Sequence, residues 1–332
     1  MSIYRHKLTA ETKELIAYLE QNVFHKPIQS VRQFAHGAAS YNYLIAIDNQ
    51  KYIIKLTHTY NQKGIERLTR ICASLSQNEQ LSGARLISIG DSLYFKYRDK
   101  YGLILSYCKG FSLPSYEMGQ RHFQQVLSGY MQFQQTKWIN TDDFLPLYPM
   151  EKVCCSHITF LEDCLKKTKN LSCIRRWIIT YLCQTHLSFF HQMLQSPLTL
   201  PADKITVIHG DFHNNNLLFN NEKLLTFLDF EEVGYGYPTE DLMRFILCLI
   251  QRLPIFIEPY SYVYDWMKCA NKRFHFSKKE WIVGLNSYYL QRAEKVLSPQ
   301  GTFGSSKQII KLFKLKLLMS QYKNVLKRIH NL

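Results

Sequence analysis

The run His209-Gly210-Asp211-Phe212-His213-Asn214-Asn215-Asn216, followed by the apolar Leu217-Leu218-Phe219 and then by Leu228-Asp229-Phe230-Glu231, constrains this chain more than any other feature. Leu217 to Phe219 and Leu224 to Leu228 read as two short strands joined by the polar turn Asn220-Asn221-Glu222-Lys223, a hairpin signature. Such a hairpin carries Asp229 back beside Asn216, while Asp211 and Asn216 share one short loop. The bland reading of the same residues is a polar surface loop, since turns favour Asp and Asn. The ordered set of residues argues against it.

In phosphoryl transfer from ATP, one carboxylate orients the acceptor hydroxyl and takes its proton, while an amide and a second carboxylate hold the magnesium ions that bridge the phosphates. Asp211, Asn216 and Asp229 supply those groups in that order. Together with Gly236-Tyr237-Pro238-Thr239-Glu240-Asp241-Leu242, the pattern His-Gly-Asp-x4-Asn and apolar-Asp-Phe-Glu resembles the aminoglycoside phosphotransferase and choline kinase superfamily. The resemblance covers about residues 205 to 245 and extends to residues 30 to 110. It implies a bilobal, protein-kinase-like α+β fold, with a small five-stranded antiparallel sheet and one helix in a nucleotide-binding lobe at residues 1–106. A larger, mostly helical catalytic and substrate-binding lobe follows at residues 107–332. ATP and Mg2+ are the implied cofactors.

Carried over by position, the resemblance makes Asp211 the catalytic base, Asn216 and Asp229 the magnesium ligands, and His209 a support that shapes the loop. Asp241, at the start of a helix, would fix the catalytic loop backbone; an ordinary helix-start acid is the alternative. His209 and His213 stand four apart, like zinc ligands on a helix, but Gly210 and the Asn triplet argue against a helix there.

Upstream, Thr9 is placed to cap a helix with Leu15, Ile16 and Leu19 at helical spacing, ending before Pro27. Val31–Ala35, Tyr41–Ile47 and Lys51–Thr57 read as strands, a helix is predicted over Gln62–Ser76, and Arg85–Ile89, Leu93–Tyr97 and Gly102–Tyr107 read as two more strands and a linker strand. Lys55, flanked by apolar residues on the third strand, is placed to meet ATP phosphates, with Glu66 as its expected carboxylate partner and Glu79 as the fallback. The turn with Gly37 and Ser40 can cover phosphates through backbone N–H groups, or be a plain hairpin turn. Tyr107 and Cys108 align with an interlobe hinge whose backbone would bind adenine.

Past residue 112 the pattern turns helical. Phe123, Val126, Leu127, Tyr130 and Met131 mark one amphipathic helix and Ile174, Trp177, Ile178, Tyr181 and Leu182 another, both read as core stripes. Later helices are predicted at about Thr239–Gln251, Lys278–Leu297 and Ser306–Ile329.

With 332 residues and 46% hydrophobic content the chain can bury a large core. Its first fifteen residues already carry Arg5, Lys7, Glu11, Lys13 and Glu14, unlike a signal peptide, and Arg244, Arg252 and Pro254 interrupt the longest apolar stretch. Nine irregularly spaced cysteines, with no C-x-x-C pair, are expected to be reduced thiols in a cytoplasmic protein.

The formal net charge is +15, and residues Lys295 to Leu332 hold eight Lys or Arg and no acid. That segment is either a solvated helix face or a contact with an anionic surface; aromatics are not interleaved with it, so nucleic acid is not the expected partner. A positive field opposes a polycationic aminoglycoside and suits a sugar, an amino alcohol or a lipopolysaccharide sugar, although Glu231, Glu232 and Glu240 leave an ammonium-bearing substrate open. The expected activity is transfer of the ATP γ-phosphate to a hydroxyl of such a small molecule. The alternatives are a serine/threonine protein kinase, which the short glycine loop and missing Ala-Pro-Glu segment disfavour, and a non-catalytic basic binding module, which the intact base and metal residues disfavour.

Overall fold

The computed structural model describes residues 8–34, 40–57, 60–78, 85–90, 92–142, 144–221, 223–250, 259–297 and 305–332. The chain forms two compact units. The first comprises Met1–Leu113, Gln120–Phe144 and Asn215–Glu231; the second comprises Pro114–Gly119, Leu145–Asn214 and Glu232–Leu332.

The first unit opens with α1 (Ala10–Leu19), whose N-cap Thr9 accepts a hydrogen bond from Thr12 N. A π turn over Glu20–Phe24 ends it at His25. Strands β1 (Ser30–Gln33), β2 (Ser40–Ile47), β3 (Gln50–Thr57), β4 (Phe95–Tyr97) and β5 (Lys100–Ser106) build a five-stranded sheet in the order β1-β2-β3-β5-β4, with every pairing antiparallel. The β2–β3 connection is tight because Asp48 and Asn49 both take positive φ, 50° and 64°, which Asp and Asn tolerate best after glycine. Ile45, Ile54 and Ile104 on the sheet join Leu15 and Leu19 of α1 in one buried cluster.

Residues 85–89, expected as a strand, form only isolated bridges. Leu86 pairs with Leu105 at the end of β5, but Gly90, at φ 55°, turns the chain so that Ile89 bonds back to Ser92. Helix α2 (Gln62–Ser76) has the predicted bounds; Asn61 caps it, and Ile65, Leu68 and Cys72 pack with Leu103 of β5. The predicted hairpin forms as β7 (Leu217–Asn220) and β8 (Lys223–Phe227), and α3 (Gln120–Gln134) lies on it. Gly129 permits that approach, since a Cβ there would run into Leu224.

The second unit is mostly helical, with α4 (Met150–Lys167), α5 (Cys173–Leu194), α6 (Pro238–Ile250), α7 (Pro259–Phe274), α8 (Lys278–Leu297) and α9 (Ser306–His330). A short antiparallel pair, β6 (Thr206–Ile208) and β9 (Gly234–Gly236), accompanies them. Trp281, Phe245 and Phe190 are fully buried in it. On α5 the expected core stripe is displaced: Ile174, Trp177 and Tyr181 are exposed, and Ile179, Leu182, Cys183, His186 and Phe190 take the buried face. Helices α4 and α9 contact α5, and the outward half of its N-terminal turns is left bare. Among the described residues no helix is long and apolar enough to cross a membrane.

Candidate active site

In the first unit, Lys55 stands on β3 between Ile54 and Leu56, both buried. Its ammonium donates to Asp229 Oδ1 at 2.7 Å and pairs with Glu231 Oε1 at 2.6 Å. Burial pulls the Lys55 pKa down, but the two carboxylates outweigh it and leave the pKa raised, so the cation persists. The β7–β8 hairpin explains how the pair forms, because Leu228 N donates to Asn216 O at 2.8 Å and returns the chain to its starting point. Asp229 then takes a left-handed backbone, φ 61°. That conformation is uncommon outside glycine and concentrates at functional sites.

Lys55, Asn216, Asp229, Ser40, Tyr107 and Cys108 line one cavity of about 510 Å³, within the range of small-ligand sites. Its walls are apolar, with Ile53, Leu68, Leu103, Leu105, Leu218 and Leu228 among them. The segment after β5 is tied to the hairpin by reciprocal backbone bonds between Phe111 and Phe219. Tyr107 N is taken by the Lys51 carbonyl, whereas Cys108 makes no backbone hydrogen bond to another described residue. The carboxylate of Asp229 and the amide oxygen of Asn216 are hard oxygen donors, the type magnesium takes when phosphate oxygens and water complete its shell.

Glu66 is not the partner of Lys55. Its carboxylate accepts from Gln62 Nε2 at 2.9 Å and Tyr94 Oη at 3.4 Å, and the neighbouring Arg67 donates to the Glu231 carbonyl at 2.5 Å. Helix α2 therefore steers the lysine indirectly, by holding the backbone of the residue whose carboxylate meets it. Gly37 and Glu79 lie outside the described residues.

In the second unit, the loop after β6 is held by Asp241, near the start of α6. Its Oδ2 accepts from His209 N at 2.6 Å and its Oδ1 from Gly210 N at 2.9 Å. Gly210 takes φ 79°, and a Cβ there would strike the Glu232 carbonyl, so glycine is required. His209 is fully buried, with Nδ1 3.4 Å from Asp211 N.

Asp211 meets His213 Nε2 at 3.3 Å and Arg244 Nη1 at 3.1 Å. Burial alone would raise its pKa, but His213, Arg244 and His209 hold the carboxyl well below the usual carboxylate range. The two histidines thus serve Asp211, and among the described residues no group of three His, Cys, Asp or Glu side chains could hold a metal. Asp211 opens on a cavity of about 800 Å³ lined also by Tyr148, Glu232, Glu240, Arg244 and Glu294. Burial pushes Glu240 up to about 7 against the hydrogen bonds from Ser287 and Tyr237 N.

Arg244 and Glu231 went unread in the sequence as site residues. Arg244 follows Asp241 by three positions on α6, a spacing that puts both on the face turned to the loop. Glu231 stands two positions after Asp229, where the sequence alone shows only a local acid.

The sequence profile of the phosphotransferase enzyme family matches residues 184–265. No curated protein matches the chain in sequence. Among solved structures, the chain is similar to a spectinomycin phosphotransferase in complex with ADP and spectinomycin, at 12% identity and TM-score 0.65, over 96% of this chain and 97% of that one. It is also similar to a putative aminoglycoside phosphotransferase from Ralstonia eutropha, at 15% identity and TM-score 0.61 over 96% and 98% of the two chains. A third similar structure is an aminoglycoside phosphotransferase from Alicyclobacillus acidocaldarius, at 14% identity and TM-score 0.62 over 94% and 95%. Residues 184–265 are thus similar in sequence to the phosphotransferase enzyme family, and on the structural match the chain has the aminoglycoside phosphotransferase fold over nearly its whole length.

Proposed function

We propose that the protein transfers the γ-phosphate of ATP, with Mg2+, to a hydroxyl of a small molecule, a sugar or an amino alcohol. Residues 1–106 are read as the nucleotide-binding lobe and residues 107–332 as the catalytic and substrate-binding lobe. The observation that carries the reading is the meeting of Lys55, Asn216 and Asp229, from separate elements, on one apolar-walled cavity. In this reading Lys55 binds phosphate oxygens, Asn216 and Asp229 hold the metal, Ser40 borders the phosphates, and Cys108 offers its backbone to the adenine edge. The metal, when bound, neutralises charge on the phosphates. Asp211 orients the acceptor hydroxyl and receives its proton, with His209 shaping the loop beneath it.

Solved phosphotransferases of this fold bound to ADP with spectinomycin or with hygromycin B support the nucleotide and the small-molecule acceptor. The acceptor cavity alternates acids (Asp211, Glu232, Glu240, Glu294) with Arg244 and Lys295, a donor and acceptor pattern suited to a polyhydroxyl compound rather than to a protein segment. All nine cysteines are free thiols, which suits a reducing compartment, and we place the activity in the cytoplasm.

The test is incubation of the protein with γ-labelled ATP, Mg2+ and a fractionated metabolite pool. Label in a small molecule is the expected result. Label in protein alone would assign a protein kinase, and no label in either would leave a binding module.

A further inference from the structure

Two helices of the second unit, α5 and α9, carry no Asp or Glu over 22 and 25 residues. Both turn large apolar side chains to solvent. On α5, Ile174 is 74% exposed and Trp177 71%; on α9, Leu317 is 68% exposed, Ile310 53% and Phe313 47%. Trp177 and Tyr181 stack at 6.2 Å with 12° between their planes, one turn apart on the helix. Lys316 of α9 joins the two helices at this surface, lying 4.6 Å from the centre of the Tyr181 ring with Nζ 2.9 Å from its hydroxyl. Arg175, Arg176 and Lys314 are exposed on the same two helices.

Exposed Ile, Trp, Phe and Leu among cations, with no carboxylate on either helix, is the chemistry of an interfacial membrane contact. The apolar side chains enter the headgroup boundary, and the lysines and arginines meet anionic lipid. Bare apolar side chains on two helices packed against each other also need a use. A second copy would present the same positive charge to itself, which opposes face-to-face pairing. Nucleic acid would pair with the cations but leaves Ile174, Ile310 and Leu317 without a partner. We propose that the α5–α9 face docks the protein on an anionic lipid bilayer surface, independently of the catalytic assignment.

The test is flotation of the full-length protein with phosphatidylcholine vesicles, with and without about one third phosphatidylglycerol. Binding is expected only to the anionic vesicles, and to weaken as salt rises. R175Q/K314Q should lower the partition coefficient roughly twenty-five-fold, at about fivefold per cation. I174S/W177S should lower it by about tenfold or more. Both sites are on the surface, so thermal unfolding should be unchanged. Equal binding to neutral and anionic vesicles, binding to neither, or full binding by both variants overturns the proposal. So does a dimer in solution that I174S/W177S dissolves, which assigns the face to a second copy. Salt-sensitive capture of a single-stranded oligonucleotide with no vesicle binding overturns it as well.

Discussion

Arg244 Nη1 lies 3.1 Å from Asp211 Oδ1, and this pairing sets the state of the carboxylate proposed to meet the acceptor. Together with His213 it keeps Asp211 ionised far into acid. A base with so low a pKa is a weak proton acceptor before transfer, so its main contribution is to orient the hydroxyl until the phosphoryl bond forms and the proton becomes acidic. The depressed pKa means that the active form is present at higher pH and is lost as pH falls through the folded-state value. Arg244→Met removes one of the groups that hold the pKa down, so the acid limb of kcat/KM should move toward neutral pH. An unmoved limb in the pH–rate profile would show that Arg244 does not govern the base.

Lys55 bridges two carboxylates, and of the two Glu231 is the more enclosed. Charge-assisted contacts of this kind are worth about 1.5–3 kcal/mol. Lys55→Met should therefore weaken ATP binding about ten- to a hundredfold, and Glu231→Gln should lower kcat/KM about tenfold. Glu66→Gln, at a side chain engaged by Gln62 and Tyr94, should change it less than about threefold. Nucleotide titration and steady-state kinetics on the three variants check the order; a Glu66 effect larger than that of Glu231 would reverse the pairing described here.

Gly210→Ala places a Cβ against the Glu232 carbonyl at a backbone φ of 79°. The expected cost is about 1–3 kcal/mol, with loss of the Asp241 hold on the loop. Chemical denaturation should show a lower midpoint at an unchanged slope. A midpoint equal to that of the parent would mean that the loop can relax without penalty.

Glu240 titrates near 7 when folded because burial disfavours its charge. Between its ordinary value of 4.5 and about 7 the folded state holds the extra proton, so stability falls as pH rises through that window. The full effect is about 3 kcal/mol. Glu240→Gln, which cannot ionise, should flatten the decline; parallel stability curves for parent and variant across that window would rule the effect out.

Local rules made much of this site readable. A polar turn between two apolar runs specified the β7–β8 hairpin, and with it the return of Asp229 toward Asn216; the helix predicted over Gln62–Ser76 formed as α2. What escaped depends on tertiary context. Helix α5 is apolar on several faces, so its periodicity does not say whether Trp177 or Phe190 faces the core, and the packing of α4 and α9 decides it. The partner of Lys55 depends on the turn through Phe230, where a left-handed Asp229 points Glu231 at the ammonium, and no spacing rule reports such a backbone. Arg244 carried a readable signal in its spacing from Asp241, but a single arginine inside an apolar helix looks first like an interruption of it.

The most direct measurement compares the parent with Asp211→Asn in two assays: binding of Mg·ATP, and transfer of the γ-phosphate to a small-molecule hydroxyl. The variant should bind nucleotide within about threefold of the parent and transfer phosphate at least about a thousandfold more slowly. Transfer at the parental rate with nucleotide binding intact would contradict the assignment of Asp211 as the residue that engages the acceptor.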